Sequence, residues 1–235
     1  MIEINTDYNF ISPYPIMILL SFLAGIIGMY LLNLRDGIRK DVAGYLCLLA
    51  PVMSVFFGIV LTYISSGFQY FGLSSVGGLI GMYLASLTMA LISGKQGELG
   101  IMTKNCTLML PLMYSISKIG CLFAGCCHGI AYHGAFRIHY TGKITDTIDV
   151  FPVQLAETVL FLIIFLIGIL GCRNKKSAVW MIFTISALSK CLLDFLRESH
   201  IGQILSFNQV LCGILFLFGI SMMYHDRKAR QLKNF

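Results

Sequence analysis

Long apolar runs follow one another along most of this chain, and that pattern constrains the fold more than any motif does. The runs are 15–34, 42–65, 73–93, 106–125, 152–171, 178–196 and 204–224, separated by short polar turns. A helix needs about 20 apolar residues to cross the hydrocarbon of a bilayer, and each run has about that length. Soluble domains carry about 25% charged residues, whereas this chain carries 12%, with 57% hydrophobic residues. The expected fold is an all-α integral membrane protein of about seven transmembrane helices. The runs use up the chain, so residues 1–235 form a single polytopic membrane domain with no separate soluble unit.

The net charge is +6, yet no basic face is interleaved with aromatics, and no nucleic-acid partner is expected. Lys and Arg collect instead in the turn after the first run (Arg35, Arg39, Lys40) and after the third (Lys95, Lys104). They collect again after the fifth (Arg173, Lys175, Lys176) and in the tail (Arg227, Lys228, Arg230, Lys233). With seven spans these clusters share one side, and cytoplasmic loops are the ones enriched in basic residues. The N-terminus is therefore expected outside and the C-terminus in the cytoplasm. The first residues hold Glu3 and Asp7 without a basic segment or cleavage site, so the first run reads as a span rather than a signal peptide.

Five ionisable residues fall inside the spans: Lys118, Glu157, Lys190, Asp194 and Arg197. Charge within a bilayer is costly and marks a functional site by default. At 1.5 Å per residue, Lys118 lies about 18 Å above the cytoplasmic start of its run, and Lys190 is similar. All five occupy the outer half, which points to a polar cavity opening outward. Lys190 and Asp194 are spaced i,i+4, and Asp194 and Arg197 i,i+3, so that stripe can also neutralise itself. Lys118 and Glu157 need partners on other helices. Two cations facing one cavity suit a phosphate, Arg197 as a planar fork and Lys118 as a point charge.

The segment Gly77-Gly78-Leu79-Ile80-Gly81 has small residues at a spacing that lets helices approach closely. The fourth run ends Gly120-Cys121-Leu122-Phe123-Ala124-Gly125-Cys126-Cys127-His128-Gly129, where glycines loosen the helix exit. Three readings of this knot stay open. A cysteine is a nucleophile assisted by His128 and a nearby cation; or the small residues make a tight exit, with a disulfide to Cys121; or the thiols bind zinc. Adjacent cysteines do not readily ligate one ion tetrahedrally, and no second CxxC exists. No metal and no other cofactor is therefore expected.

At these residues the sequence resembles the bacterial prolipoprotein diacylglyceryl transferase family, in an ordered series covering most of the chain. The segments are Val76-Gly-Gly-Leu-Ile-Gly81, Ser117-Lys-Ile-Gly-Cys121 through Cys126 to Gly129, Phe151-Pro-Val-Gln-Leu-Ala-Glu157, Asp194-Phe-Leu-Arg197, and a late stretch at Gln203 or Gln209. The family's pattern has histidines at the positions of Val76 and Phe151, arginine at Lys118, and Asn and Glu at Cys121 and Cys126. The resemblance implies a transferase in the bacterial cytoplasmic membrane that moves diacylglyceryl from phosphatidylglycerol to a thiol, such as a lipoprotein-precursor cysteine, and releases glycerol phosphate. Lys118, Arg197, Glu157, Cys126 and His128 are the catalytic candidates. Gln154, Gly77, Gly78, Asp194, Cys121 and Arg137 are the candidate substrate contacts. Two other readings remain beside it, a non-catalytic phospholipid-binding or transport protein on the same scaffold and a thiol-redox membrane protein.

Overall fold

The computed structural model describes residues 1–8, 12–142, 147–172, 176–202 and 204–231. It is mostly helical. A short strand β1 (Ile2–Asn5) precedes α1 (Pro13–Arg35), α2 (Lys40–Ser65), α3 (Ser75–Ile92) and α4 (Leu99–Ala124). Strands β2 (Ile138–Thr141) and β3 (Ile148–Val150) lead to α5 (Val153–Ile167), α6 (Lys176–Asp194) and α7 (Phe207–Gln231). Among the described residues, six helical segments are long and apolar enough to cross a membrane. The remaining long helix, α6, carries Lys190.

The burial pattern inverts that of a soluble protein. Leu19, Leu48 and Ile92 are exposed on the helix surfaces, while Asn33, Asn105, Gln154 and Glu157 are wholly buried. With lipid as solvent, close packing and internal polar pairing hold helices together. The paired faces of α2 and α3 show the packing. A Cβ on Gly77 would collide with the backbone of Phe57, and one on Gly81 with that of Met53. Ser74 caps α3, its hydroxyl accepting from the Gly77 amide at 3.4 Å.

Helix α4 begins earlier than its apolar run, taking in Thr103, Lys104 and Asn105. Two of these polar residues are matched by α1 and its C-cap, with Lys104 Nζ 2.5 Å from Asp36 Oδ2 and Asn105 donating to Asn33 at 2.9 Å. Counted from Leu99, Lys118 lies about 28 Å along the axis, close to the far end of its helix.

The polar connection after α4 is not a plain loop. β2 pairs with β1 in parallel and with β3 antiparallel, in the order β1-β2-β3. Tyr140 on β2 is buried and donates to the Leu122 carbonyl at 2.8 Å, pinning the sheet to the end of α4. A bridge between Gly129 and Arg197 brings the end of α6 to the same place. The chain start, the α4 exit, the α5 entry and the α6 exit therefore share one end of the bundle.

Candidate functional site

Glu157, wholly buried on the first turns of α5, is the centre of the charged cluster. Lys118 Nζ lies 2.9 Å from its Oε2, and the Arg197 guanidinium pairs with Oε1. Tyr114 donates its hydroxyl to the same Oε1 at 2.7 Å. That hydroxyl accepts in turn from Lys190 Nζ at 3.1 Å and from Arg197 Nη2 at 3.3 Å. Both lysines also stand over the Tyr114 ring, Lys118 at 5.1 Å and Lys190 at 4.7 Å from its centroid, within reach of a cation–π attraction.

A second carboxylate backs the cluster. Asp194 Oδ1 is 3.5 Å from Arg197 Nη1, and Oδ2 accepts from the Ser206 hydroxyl at 2.6 Å. Ser206 and Gln209 form a reciprocal capping box at the start of α7. The Gln209 amide donates to Ser206 Oγ at 3.1 Å, and the Ser206 amide to Gln209 Oε1 at 2.8 Å. Such a box satisfies the first amides of a helix and here ties α7 to Asp194.

These groups border a cavity of about 500 Å³. Tyr114, Lys118, Lys190 and Arg197 line it, together with Cys121, Cys127 and Val76. Much of the remaining wall is apolar, from Phe22, Leu79, Leu110 and Phe161 among others. Three cations thus meet two carboxylates, and Arg197 Nε, though buried, has no acceptor among the described residues. The chemistry on offer is the binding of an anion attached to an apolar body.

The sequence-derived candidates divide by place. Lys118, Arg197, Gly78 and Cys121 line the cavity, while Glu157 and Asp194 stand directly behind it. Gln154 is buried beneath the α4 exit, where Nε2 donates to the Cys126 carbonyl at 3.1 Å and to Tyr140 Oη at 3.3 Å. Cys126 itself is half-buried, and its thiol is turned toward the Cys121 carbonyl at 3.9 Å. Gly77 serves the α2–α3 contact and is not part of the wall. The structure does not bring His128 or Arg137 to the cavity. His128 Nε2 faces the exposed Glu198 at 3.2 Å, and Arg137 pairs with Asp149 on the sheet at 3.2 Å. Gln203 lies outside the described residues, as do Arg173, Lys175 and Lys233.

Tyr114 went unread in the sequence although it shares the most partners. Its spacing to Lys118 is i,i+4 on one helix face, which is the signal that could have found it. Lys190 turns to Tyr114 rather than to Asp194 on its own helix.

No curated protein matches the chain. A family model does, over residues 4–225. The chain belongs to the prolipoprotein diacylglyceryl transferase family, and its members are transferases acting at the membrane.

Proposed function

We propose that this protein takes diacylglyceryl from phosphatidylglycerol and passes it to a thiol or another acceptor at the outer face of a bacterial cytoplasmic membrane. The observation that carries the reading is the charge count at the cavity, where, among the described residues, Lys118, Lys190 and Arg197 face two carboxylates, Glu157 and Asp194. One positive charge is left over, and a phosphodiester monoanion neutralises it. The Arg197 and Lys118 side chains and the apolar wall, all bordering the cavity, suit a headgroup and its acyl chains respectively.

When the glycerol carbon–oxygen bond breaks, the departing glycerol phosphate gains negative charge. Fixed cations in a site of low dielectric stabilise such charge without reorganising. Lys118 and Arg197 supply it, and Glu157 holds both in position. Gln154 shapes the Cys126 segment at the rim. The reading includes seven spans with the N-terminus outside and the cavity near the outer leaflet; what supports it is that the basic turns Arg35–Lys40 and Lys95 lie at the end of the bundle opposite the sheet.

The test is purified protein in phosphatidylglycerol liposomes with a cysteine-bearing lipobox peptide, read by mass spectrometry. Diacylglyceryl-peptide together with free glycerol phosphate is the expected result. Glycerol phosphate alone would assign a different acceptor. Neither product, from protein shown to be folded, would sink the transferase reading.

A further inference from the structure

The thiols of Cys121, Cys126 and Cys127 belong to no ion pair of the charged cluster, yet their sulfur atoms all lie within 4.8 Å of one another. Cys121 is buried on the last turn of α4, Cys126 is half-buried and Cys127 is exposed. Two backbone reversals bring them together. Gly125 ends α4 at φ +67°, and Cys127 follows at φ +55°. The second is the informative one, because a left-handed conformation is rare for a residue with a side chain. Gln154 fixes the same turn by holding the Cys126 carbonyl. The turn brings two adjacent cysteines to a third, which the linear sequence made improbable.

We propose that these three thiolates form a binding site for a zinc ion whose fourth position opens into the cavity. Zinc–sulfur bonds are about 2.3 Å long, so the sulfurs around one tetrahedral ion are about 3.8 Å apart. The present separations need an adjustment of about 1 Å or less to reach that, which side-chain rotation supplies. Thiolate ligands select soft metals over magnesium or calcium. Three protein ligands with an open fourth position are the arrangement of a catalytic rather than a structural zinc site. Cys121 and Cys127 both line the cavity, so the open position faces the space where Lys118 and Arg197 stand.

The site has a use that rests on the transferase reading, although metal binding itself does not. An acceptor thiol entering the fourth position gives up its proton to the medium and stays as a zinc-bound thiolate. Its sulfur attacks the glycerol carbon that carries the phosphate of phosphatidylglycerol. A carbon–sulfur bond forms, the carbon–oxygen bond breaks, and the electron pair leaves on the oxygen of glycerol phosphate beside Lys118 and Arg197. No oxidant or reductant is consumed.

The experiment uses the full chain, purified under reducing conditions, loaded with zinc and then dialysed, with metal counted by elemental mass spectrometry. About one equivalent per chain is expected in the parent, and none in Cys127→Ser or in the triple serine variant. Cobalt substituted into the parent reports geometry without any variant, through thiolate-to-metal charge-transfer bands and tetrahedral d–d bands. Adding the lipobox peptide should shift the d–d bands. Folded parent protein that binds neither metal, equal binding by the triple variant, preferential capture of copper(I), or a disulfide among the three cysteines would each overturn the zinc site. Bound cobalt whose bands ignore the peptide would overturn the acceptor role. Zinc and peptide bound without release of glycerol phosphate would count against the transferase reading and leave the site standing.

Discussion

Replacing Tyr114 with Phe removes one oxygen and leaves nearly everything else in place. The ring keeps its contact with Phe161, 4.4 Å away between centroids, and stays under both lysines. What disappears is the donor to Glu157 and the acceptor for Lys190 and Arg197. A hydrogen bond to a charged group is worth about 1.5–3 kcal/mol. Lys190 then loses the hydrogen-bond partner it has among the described residues, which puts the cost near the middle of that range, about 2 kcal/mol. For a chain of this size each kcal/mol moves the melting temperature by about 2–4 °C, so a drop of roughly 6 °C is expected in detergent. If the same oxygen holds the cations in the transition state, about 2 kcal/mol corresponds to a roughly 30-fold loss of turnover. Tyr114→Leu, which also removes the ring, should lose a further ~1 kcal/mol from the cation–π contacts. The assays are a thermal melt and glycerol phosphate release from liposomes. A Phe variant that melts and turns over like the parent would refute the idea that this hydroxyl organises the cluster.

Glu157→Gln leaves Lys118 and Arg197 without their shared carboxylate and should cost about 3–5 kcal/mol; adding Lys118→Met should recover part of that, and strictly additive melting shifts would show the two are not coupled. Gly77→Ala pushes a Cβ into the Phe57 backbone and should destabilise by about 1–3 kcal/mol, whereas Gly44→Ala, with open space around it, should stabilise α2 by about 1 kcal/mol; melts of the two variants moving in the same direction would refute the packing argument. On the sheet, hydrogen bonding from His139, with Arg137 and His133 adding to it, holds the Asp149 carboxyl below its usual range. A carboxyl depressed in the folded state stabilises it above the unfolded value of about 3.9 and loses that contribution as pH falls through the folded value. The melting gap between parent and Asp149→Asn should therefore be open at pH about 4 and above and close below it; a gap that persisted at lower pH would exclude this carboxylate as its source. In intact cells stripped of zinc by a membrane-permeant chelator, the exposed Cys127 should react with a membrane-impermeant maleimide, and its protection under those conditions would reverse the proposed orientation.

Much of the site was legible because charge in an apolar run has few reasons to be there. Lys118, Glu157, Asp194 and Arg197 could be assigned to the same half of their spans from helix rise alone, and they meet. What depth could not give was choice of partner. Lys190 had an oppositely charged neighbour one turn away in Asp194, yet it points across to α4. Tyr114 hid because a tyrosine among apolar residues reads as filler until its hydroxyl is placed. The start of α4 was missed because Lys104 and Asn105 look like loop until α1 supplies Asp36 and Asn33. The sheet was missed for a related reason. Its strands are three or four residues long, and β2 exists by pairing with the distant start of the chain, a contact that local periodicity does not carry. The cysteine cluster depended on two left-handed residues, of which only Gly125 advertises itself by type.

Positions that keep the pattern described above lie both behind the cavity wall and on it, where Gly78 and Arg197 stand. Gly77 and Gly120 set helix contacts, Gly125 ends α4, and Gln154 and Glu157 stand behind the cavity wall, holding other residues. Of the positions that depart from that pattern, Val76, Lys118 and Cys121 line the cavity, whereas Phe151 and Cys126 do not. A substitution behind the wall would break an ion pair or a packed interface, at about 3–5 kcal/mol for the buried carboxylate, so the supports cannot drift without unfolding the bundle. On the wall, Lys118 shares that constraint through Glu157, whereas Val76 and Cys121 belong to no ion pair of the cluster. A lysine in place of the arginine fork still neutralises a phosphate, but as a point charge. Val76 presents an apolar surface to the cavity, and Cys121 and Cys127 line it as well. Under the proposed function Lys118 and Arg197 keep the charge that a phosphate needs, and the acceptor thiol is met by the cysteines rather than by an imidazole at Val76.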